Sequence, residues 1–113
     1  MAVPSPLSAS LIPPYTAVIF TARRTNAFQN QYTLLSERLE SLVTAQPGYL
    51  GMESVRGEDR IGITVSYWRD RKSAQAWKEV AEHMAAQQLG RSQFYEWYRV
   101  RIATVEAEWG FGP

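Results

Sequence analysis

The chain has no cysteine and a single histidine in 113 residues. The first absence excludes disulfides, thiolate nucleophiles and Cys-ligated zinc or iron–sulfur centres together, and it suits a reducing compartment, so a cytoplasmic protein is expected. One imidazole with scattered carboxylates does not make a metal site, and none is expected. Charge of one sign is also lacking: Lys and Arg total 12, Asp and Glu 11, for a net charge of +1. No basic stripe with interleaved aromatics is present, which excludes a nucleic-acid groove, and no broad field attracts an anionic membrane. No run approaches the ~18 apolar residues of a membrane-spanning helix. There is no glycine-rich phosphate loop and no GxSxG nucleophile turn.

What the chain does have is aromatic side chains, at 12% of residues with four Trp and six Tyr. Its length fits one domain, large enough to bury roughly two thirds of its unfolded surface. Residues 1–14 carry Pro4, Pro6, Pro13 and Pro14 among Ser and Ala, without a basic leader. They read as a flexible N-terminal arm rather than a signal peptide, ahead of a domain over 15–113.

Tyr15 to Ala22 is rich in β-formers and apolar on both alternating faces, with Val18 and Phe20 on one and Ala17 and Ile19 on the other. Such a strand must be covered on both sides. Asn26 and Gln29 have capping-box spacing, and Phe28, Tyr32, Leu35, Leu39 and Leu42 follow as a helical stripe that Pro47-Gly48 ends. Tyr49 to Arg56 and Arg60 to Trp68 form a hairpin, with Arg56, Glu58, Asp59 and Arg60 at its solvated end. Gly62, Thr64, Ser66 and Trp68 share a face of small residues closed by a large aromatic, suited to lining a cavity. Asp70 caps a second helix from Arg71 to a stop near Leu89-Gly90-Arg91, with apolar residues on two sides, which predicts either burial on more than one face or a break near Ala81-Glu82. A turn over Gln93 to Trp97 then leads to a last strand from Tyr98 to Glu108.

The order β, α, β, β, α, β places two helices on one face of a four-stranded antiparallel sheet: an α+β, ferredoxin-like βαββαβ sandwich. The other face keeps apolar side chains, and a patch of that size predicts a homodimer in which two sheets bury each other.

Gln46 to Ser54, Ile63 to Trp68, Trp77 followed by Glu82-His83, and Leu89-Gly90-Arg91 together resemble the antibiotic biosynthesis monooxygenase family, in its small stand-alone bacterial form. The resemblance runs from Tyr15 to about Trp109. It implies a dimeric α+β barrel with a pocket between sheet and helices in each protomer. The family includes cofactor-independent oxygenases of aromatic polyketides, haem-degrading enzymes and proteins of unknown role.

Oxygenation without metal or flavin requires a substrate that itself gives electrons to O2, a base that deprotonates it, and walls that exclude water. His83 is the side chain whose ordinary pKa suits the base, and it is the expected catalytic residue. Trp68, Trp77, Arg91 and Tyr95 are the expected substrate-binding residues, with Arg91 holding a carboxylate or phenolate. The leading expectation is a cofactor-independent monooxygenase of an aromatic or polycyclic small molecule. A second reading is a haem-binding or haem-degrading protein. That branch uses an Asn on the first strand, absent from Tyr15 to Ala22, and a helix His at the position where an ungapped match from Trp77 sets Gln87. A third reading is a non-catalytic dimeric ligand-binding protein.

Overall fold

β1 (Tyr15–Arg24), α1 (Gln29–Val43), β2 (Tyr49–Arg56), β3 (Ile61–Trp68), α2 (Arg71–Gln88), α3 (Arg91–Phe94) and β4 (Tyr95–Val105) follow one another along the chain. The computed structural model describes residues 11–88 and 91–112, leaving out the side chains of 85–92. Residues 1–10 of the expected arm and the helix stop at Leu89-Gly90 lie outside the described residues.

The strands form one antiparallel sheet in the order β2-β3-β1-β4. β3 separates β1 from β2, and β1 separates β3 from β4, so α1 and α2 each bridge over a central strand. This is the βαββαβ ferredoxin-like arrangement that the element order predicts.

Strand alternation then sorts the side chains. Val18 sits opposite Ser66 and Ile102, and Phe20 opposite Thr64 and Val100. These residues share the helix-bearing face, where Val18, Val43, Trp68, Ala74 and Trp77 form the main core. Trp68 is fully buried, its ring stacked 6.0 Å from that of Trp77 and its indole N–H donating to Ser66 Oγ at 2.8 Å. That bond matters because a buried indole N–H without an acceptor loses its water partner for nothing. A second cluster joins Leu35 and Phe94, with Tyr32, Leu39, Met84 and Tyr95 around them.

The structure differs from the sequence expectations at element ends. α1 begins at Gln29 rather than Asn26, after Phe28 in the left-handed region (φ 57°) with no side-chain cap. A nearby polar group suited to capping, the Thr25 hydroxyl, instead donates to the carbonyl of Gln93 at 2.8 Å, tying the end of β1 to α3. β4 begins at Tyr95, inside the expected turn, because the four residues of α3 make that turn and bury Phe94 completely. α2 runs unbroken through Ala81-Glu82 and buries one face, with Ala74 and Trp77 inside and Ala76 and His83 exposed. Among the described residues there is one sheet for it to pack on, so one face suffices. Its start is as expected, since Asp70 Oδ1 accepts from Ser73 N–H at 2.8 Å, a bond that holds the Asp70 carboxyl below its ordinary pKa.

The sheet face away from the helices carries Ile19 and Val65 half-buried and Val55, Ile63 and Trp97 exposed. Towards the far end of this face Tyr15 donates to Glu108 at 2.6 Å. Burial, with that hydrogen bond, pushes the Tyr15 phenol up to about 12. Burial and a hydrogen bond to Glu53 push Tyr67 up to about 12 as well. A phenol whose pKa is raised by folding stabilises the folded state fully below its unfolded pKa of 10.0, and that contribution is lost as pH rises towards 12. The expected result is a thermal midpoint that falls between about pH 10 and 12, with a shallower fall in Tyr15→Phe. An identical decline in the variant would remove Tyr15 from the account.

Candidate active-site cavity

Between the helix-bearing sheet face and the two long helices lies a cavity of about 210 Å3. Its walls are mainly apolar, from Val18, Phe20, Leu35, Met52, Trp77 and Val100. Ser54 and Thr64 form part of its sheet side, their hydroxyls 2.7 Å apart. The small residues of β3 are what leave this space open: large side chains at positions 64 and 66 would fill it, as expected from the alternation along that strand. The cavity runs along α1 from Tyr32 to Glu40, eight residues or roughly 12 Å at the helical rise.

Its two ends differ in chemistry. At the Tyr32 end, Arg56 donates from Nη2 to the Tyr32 phenol oxygen at 2.8 Å, and Tyr95 completes the lining. Behind them Arg24, 2% exposed, stacks on the Tyr32 ring with Cζ 3.3 Å from the centroid and donates from Nε to the Phe94 carbonyl at 3.2 Å. The Tyr95 ring meets those of Phe20 and Tyr32 edge to face at 5.4 and 6.0 Å, which fixes the position of its hydroxyl. Burial and the neighbouring Tyr32 raise the Tyr95 pKa well above its ordinary value, so its hydroxyl is a hydrogen-bond donor at all physiological pH. Burial, and then the Arg56 charge, lowers that of Arg24. At the other end the lining includes Glu40 on α1 and the Lys78–Glu82 pair on α2, the latter 2.8 Å apart.

Of the residues singled out from sequence, Trp77 and Tyr95 line this cavity. Trp68 lies behind Trp77 as its stacking partner and does not line the cavity. His83 is exposed on α2, outside the lining, while its neighbour Glu82 is part of it. Adjacent helical residues project about 100° apart, so one of the pair faces in and the other out. Arg91 begins α3, but its side chain lies outside the described residues.

Arg56 corrects a sequence expectation: it is half-buried and bonded to Tyr32 rather than solvated with the hairpin turn. Tyr32 and Arg24 were not recognised as site residues. The alternation Met52, Ser54, Arg56 held the missing signal, since it points Arg56 the same way as two cavity residues.

The family model described as antibiotic biosynthesis monooxygenase matches residues 18–89. The chain belongs to that family. It is 45% identical over 102 residues to the uncharacterised protein YqjZ of Bacillus subtilis, covering 90% of this chain and 89% of that one. It is also 30% identical over 93 residues to the jasmonate monooxygenase ABM of Pyricularia oryzae, covering 80% of this chain and 43% of that longer protein. Among solved structures, SnoaB from Streptomyces nogalater, a cofactor-independent oxygenase, superposes with a TM-score of 0.62 at 10% identity over 89% of this chain and all of its own. A protein from Shewanella oneidensis superposes with a TM-score of 0.67 at 10% identity over 81% of this chain and 91% of its own. At such identity the likeness to these structures is one of fold, and that fold is the family's βαββαβ sandwich.

Proposed function

We propose that this family member is a monooxygenase that oxidises a small apolar molecule in the cavity without a bound cofactor. The observation that carries the reading is the cavity itself: an aromatic-walled space with guanidinium and phenol donors at one end and carboxylates at the other. The description of SnoaB as a cofactor-independent oxygenase and the naming of the Pyricularia relative as a monooxygenase support it. A volume of about 210 Å3 lies below the ~300–1,000 Å3 of sites for drug-sized ligands, so a mono- or bicyclic substrate fits better than an extended polycycle or a haem.

The reaction balances with the substrate as the only reductant. An activated methylene group and one O2 give a ketone at the same carbon and one water. Both C–H bonds of that carbon break, one oxygen atom stays on it, and the other leaves in the water. A carboxylate of the lining, Glu82, accepts the first proton. The substrate's oxygen-bearing end rests at Arg56, Tyr32 and Tyr95, where fixed donors hold the negative charge that deprotonation creates. The carbanion reduces O2, and the resulting peroxide takes a proton and releases water as the second C–H bond breaks. The apolar walls admit O2 and keep bulk water from the intermediates.

The test is O2 uptake by metal-depleted protein with small phenols and ketones bearing activated methylenes. Glu82→Gln is expected to slow turnover by about 10²-fold, the lower end for general-base catalysis. His83→Ala is expected to change it by less than about twofold, as for an exposed position. The reverse pattern would move the base to His83. Retention of ligand binding with no uptake in any case would favour the non-catalytic reading.

The chain is further proposed to act as a homodimer. Val55, Ile63 and Trp97 are exposed together on the open sheet face, which a second copy related by a two-fold axis would bury. Light scattering at micromolar concentration is expected to give twice the 12.9 kDa chain mass, and a monomer would contradict this arrangement.

A further inference from the structure

We infer that the Arg24–Arg56–Tyr32 corner binds a carboxylate, so that the cavity's ligand is a small apolar carboxylic acid. The inference rests on the cavity being the ligand site, and it is independent of whether oxygenation follows.

The corner gathers more fixed positive charge than a transient oxyanion requires. Arg24 at the end of β1 is almost wholly buried, and Arg56 at the end of β2 is half-buried. A guanidinium does not shed its proton at any relevant pH, so both remain cations. Among the described residues neither forms an ion pair with a carboxylate. The contrast with the open sheet face is direct: there Arg23 and Arg60 share Glu96 at 3.2 and 3.4 Å. The fold thus gives the two solvent-facing arginines a shared carboxylate, and gives none to Arg56, which lines the cavity, or to Arg24 behind it.

The donors at the corner are also incompletely used. Arg24 Nη2 and Arg56 Nε are both buried without a hydrogen-bond partner. Burying a cation without a counterion is costly, and two of them around one phenol repel each other as well. A bound anion removes both costs. The guanidinium fork matches the two oxygens of a planar carboxylate, and Tyr95, hydrogen-bonded to Tyr32, closes the corner beside Arg56 on the cavity wall. The remaining walls offer apolar contact, with Phe20, Leu35 and Trp77 facing the space that the rest of the ligand would occupy.

The experiment compares an acid with its uncharged counterpart of the same shape. Calorimetric titration of the full chain at pH 7 uses 2-naphthoate against 2-naphthamide, and phenylacetate against phenylacetamide. The acids are expected to bind at least about tenfold more tightly than the amides, as for charge-assisted over neutral hydrogen bonds. In Arg56→Met the preference is expected to fall below about twofold, with Arg56→Lys intermediate because a point charge lacks the fork. Thermal melts of each variant separate loss of the site from loss of the fold. Equal affinity for acid and amide in the unmodified protein, a preference that persists in Arg56→Met, or no binding of either acid up to about 1 mM would each overturn the inference. Failure of O2 uptake with a bound acid would bear on the oxygenase reading and leave the carboxylate site standing.

Discussion

Ala81→Phe is expected to abolish ligand binding and to reduce turnover by at least about 100-fold, equivalent to ~2.7 kcal/mol of lost transition-state stabilisation. Ala81 lies on the buried side of α2, half-buried and lining the cavity between Trp77 and Glu82. A benzene-sized group needs on the order of 150 Å3, which is most of the roughly 210 Å3 available. The new ring therefore occupies space that is empty, rather than displacing packed neighbours. Overpacking penalties arise when a core is already full, so the thermal midpoint of this variant is expected to stay within a few degrees of the original. Loss of activity with an unchanged melting curve would place the chemistry in this cavity. Undiminished turnover would move it elsewhere in the molecule.

Trp68→Ala is expected to act in the opposite sense, on stability first. Trp68 is fully buried, stacks on Trp77, meets the Tyr49 ring at 5.6 Å and bonds Ser66 through its indole N–H. Removing a buried Trp costs ~3–5 kcal/mol through lost transfer energy and the void left behind. For a domain of this size that lowers the melting midpoint by at least ~10 °C. The void would open beneath Trp77, so the wall of the functional cavity would lose its support as well. Trp68→Phe keeps an aromatic surface and is expected to lose about half as much stability, with the Ser66 hydroxyl losing its donor. A Trp68→Ala protein as stable as the original would mean that the stacked pair contributes little to the core.

Much of the fold was legible because the strongest signals were periodic. β2 and its hairpin partner follow from alternation bounded by Pro47-Gly48 and the Gly57–Asp59 turn, and α2 from the Asp70 cap. The alternation along β3 even showed that a face of small residues would line a cavity, as Thr64 and Ser66 do. What sequence did not show was how the ends of helices and strands compete for one another's polar groups. Asn26 reads as a helix cap, yet α1 starts at Gln29 without one, and the neighbouring Thr25 hydroxyl goes to the carbonyl of Gln93, 68 positions away. Phe28 begins α1 through a left-handed backbone that no local propensity favours.

The site was harder to read for the same reason. Chemistry-bearing residue types drew attention to His83, whose ordinary pKa suits a base, although the helix turns it outward and its neighbour Glu82 inward. Arg24, Tyr32 and Arg56 are 8 to 32 positions apart in sequence, on β1, α1 and β2, and only the sheet order brings them to one corner. Arg56 sits next to an exposed turn, so its position alone suggested solvent, whereas its face of the strand pointed inward. Trp77 and Tyr95 line the cavity, as large aromatics at helix–sheet junctions tend to, whereas Trp68, expected beside them, lies behind Trp77 and outside the lining.

Substrate-driven monooxygenation in the cavity is tested most directly by turnover of metal-depleted protein under 18O-labelled dioxygen with an accepted substrate. The expected result is one labelled oxygen atom in the ketone and the other in water, at a rate unchanged by added metal ions, flavin or chelator and lost in Ala81→Phe. Unlabelled product, or turnover that appears only when a metal ion or flavin is supplied, would contradict it.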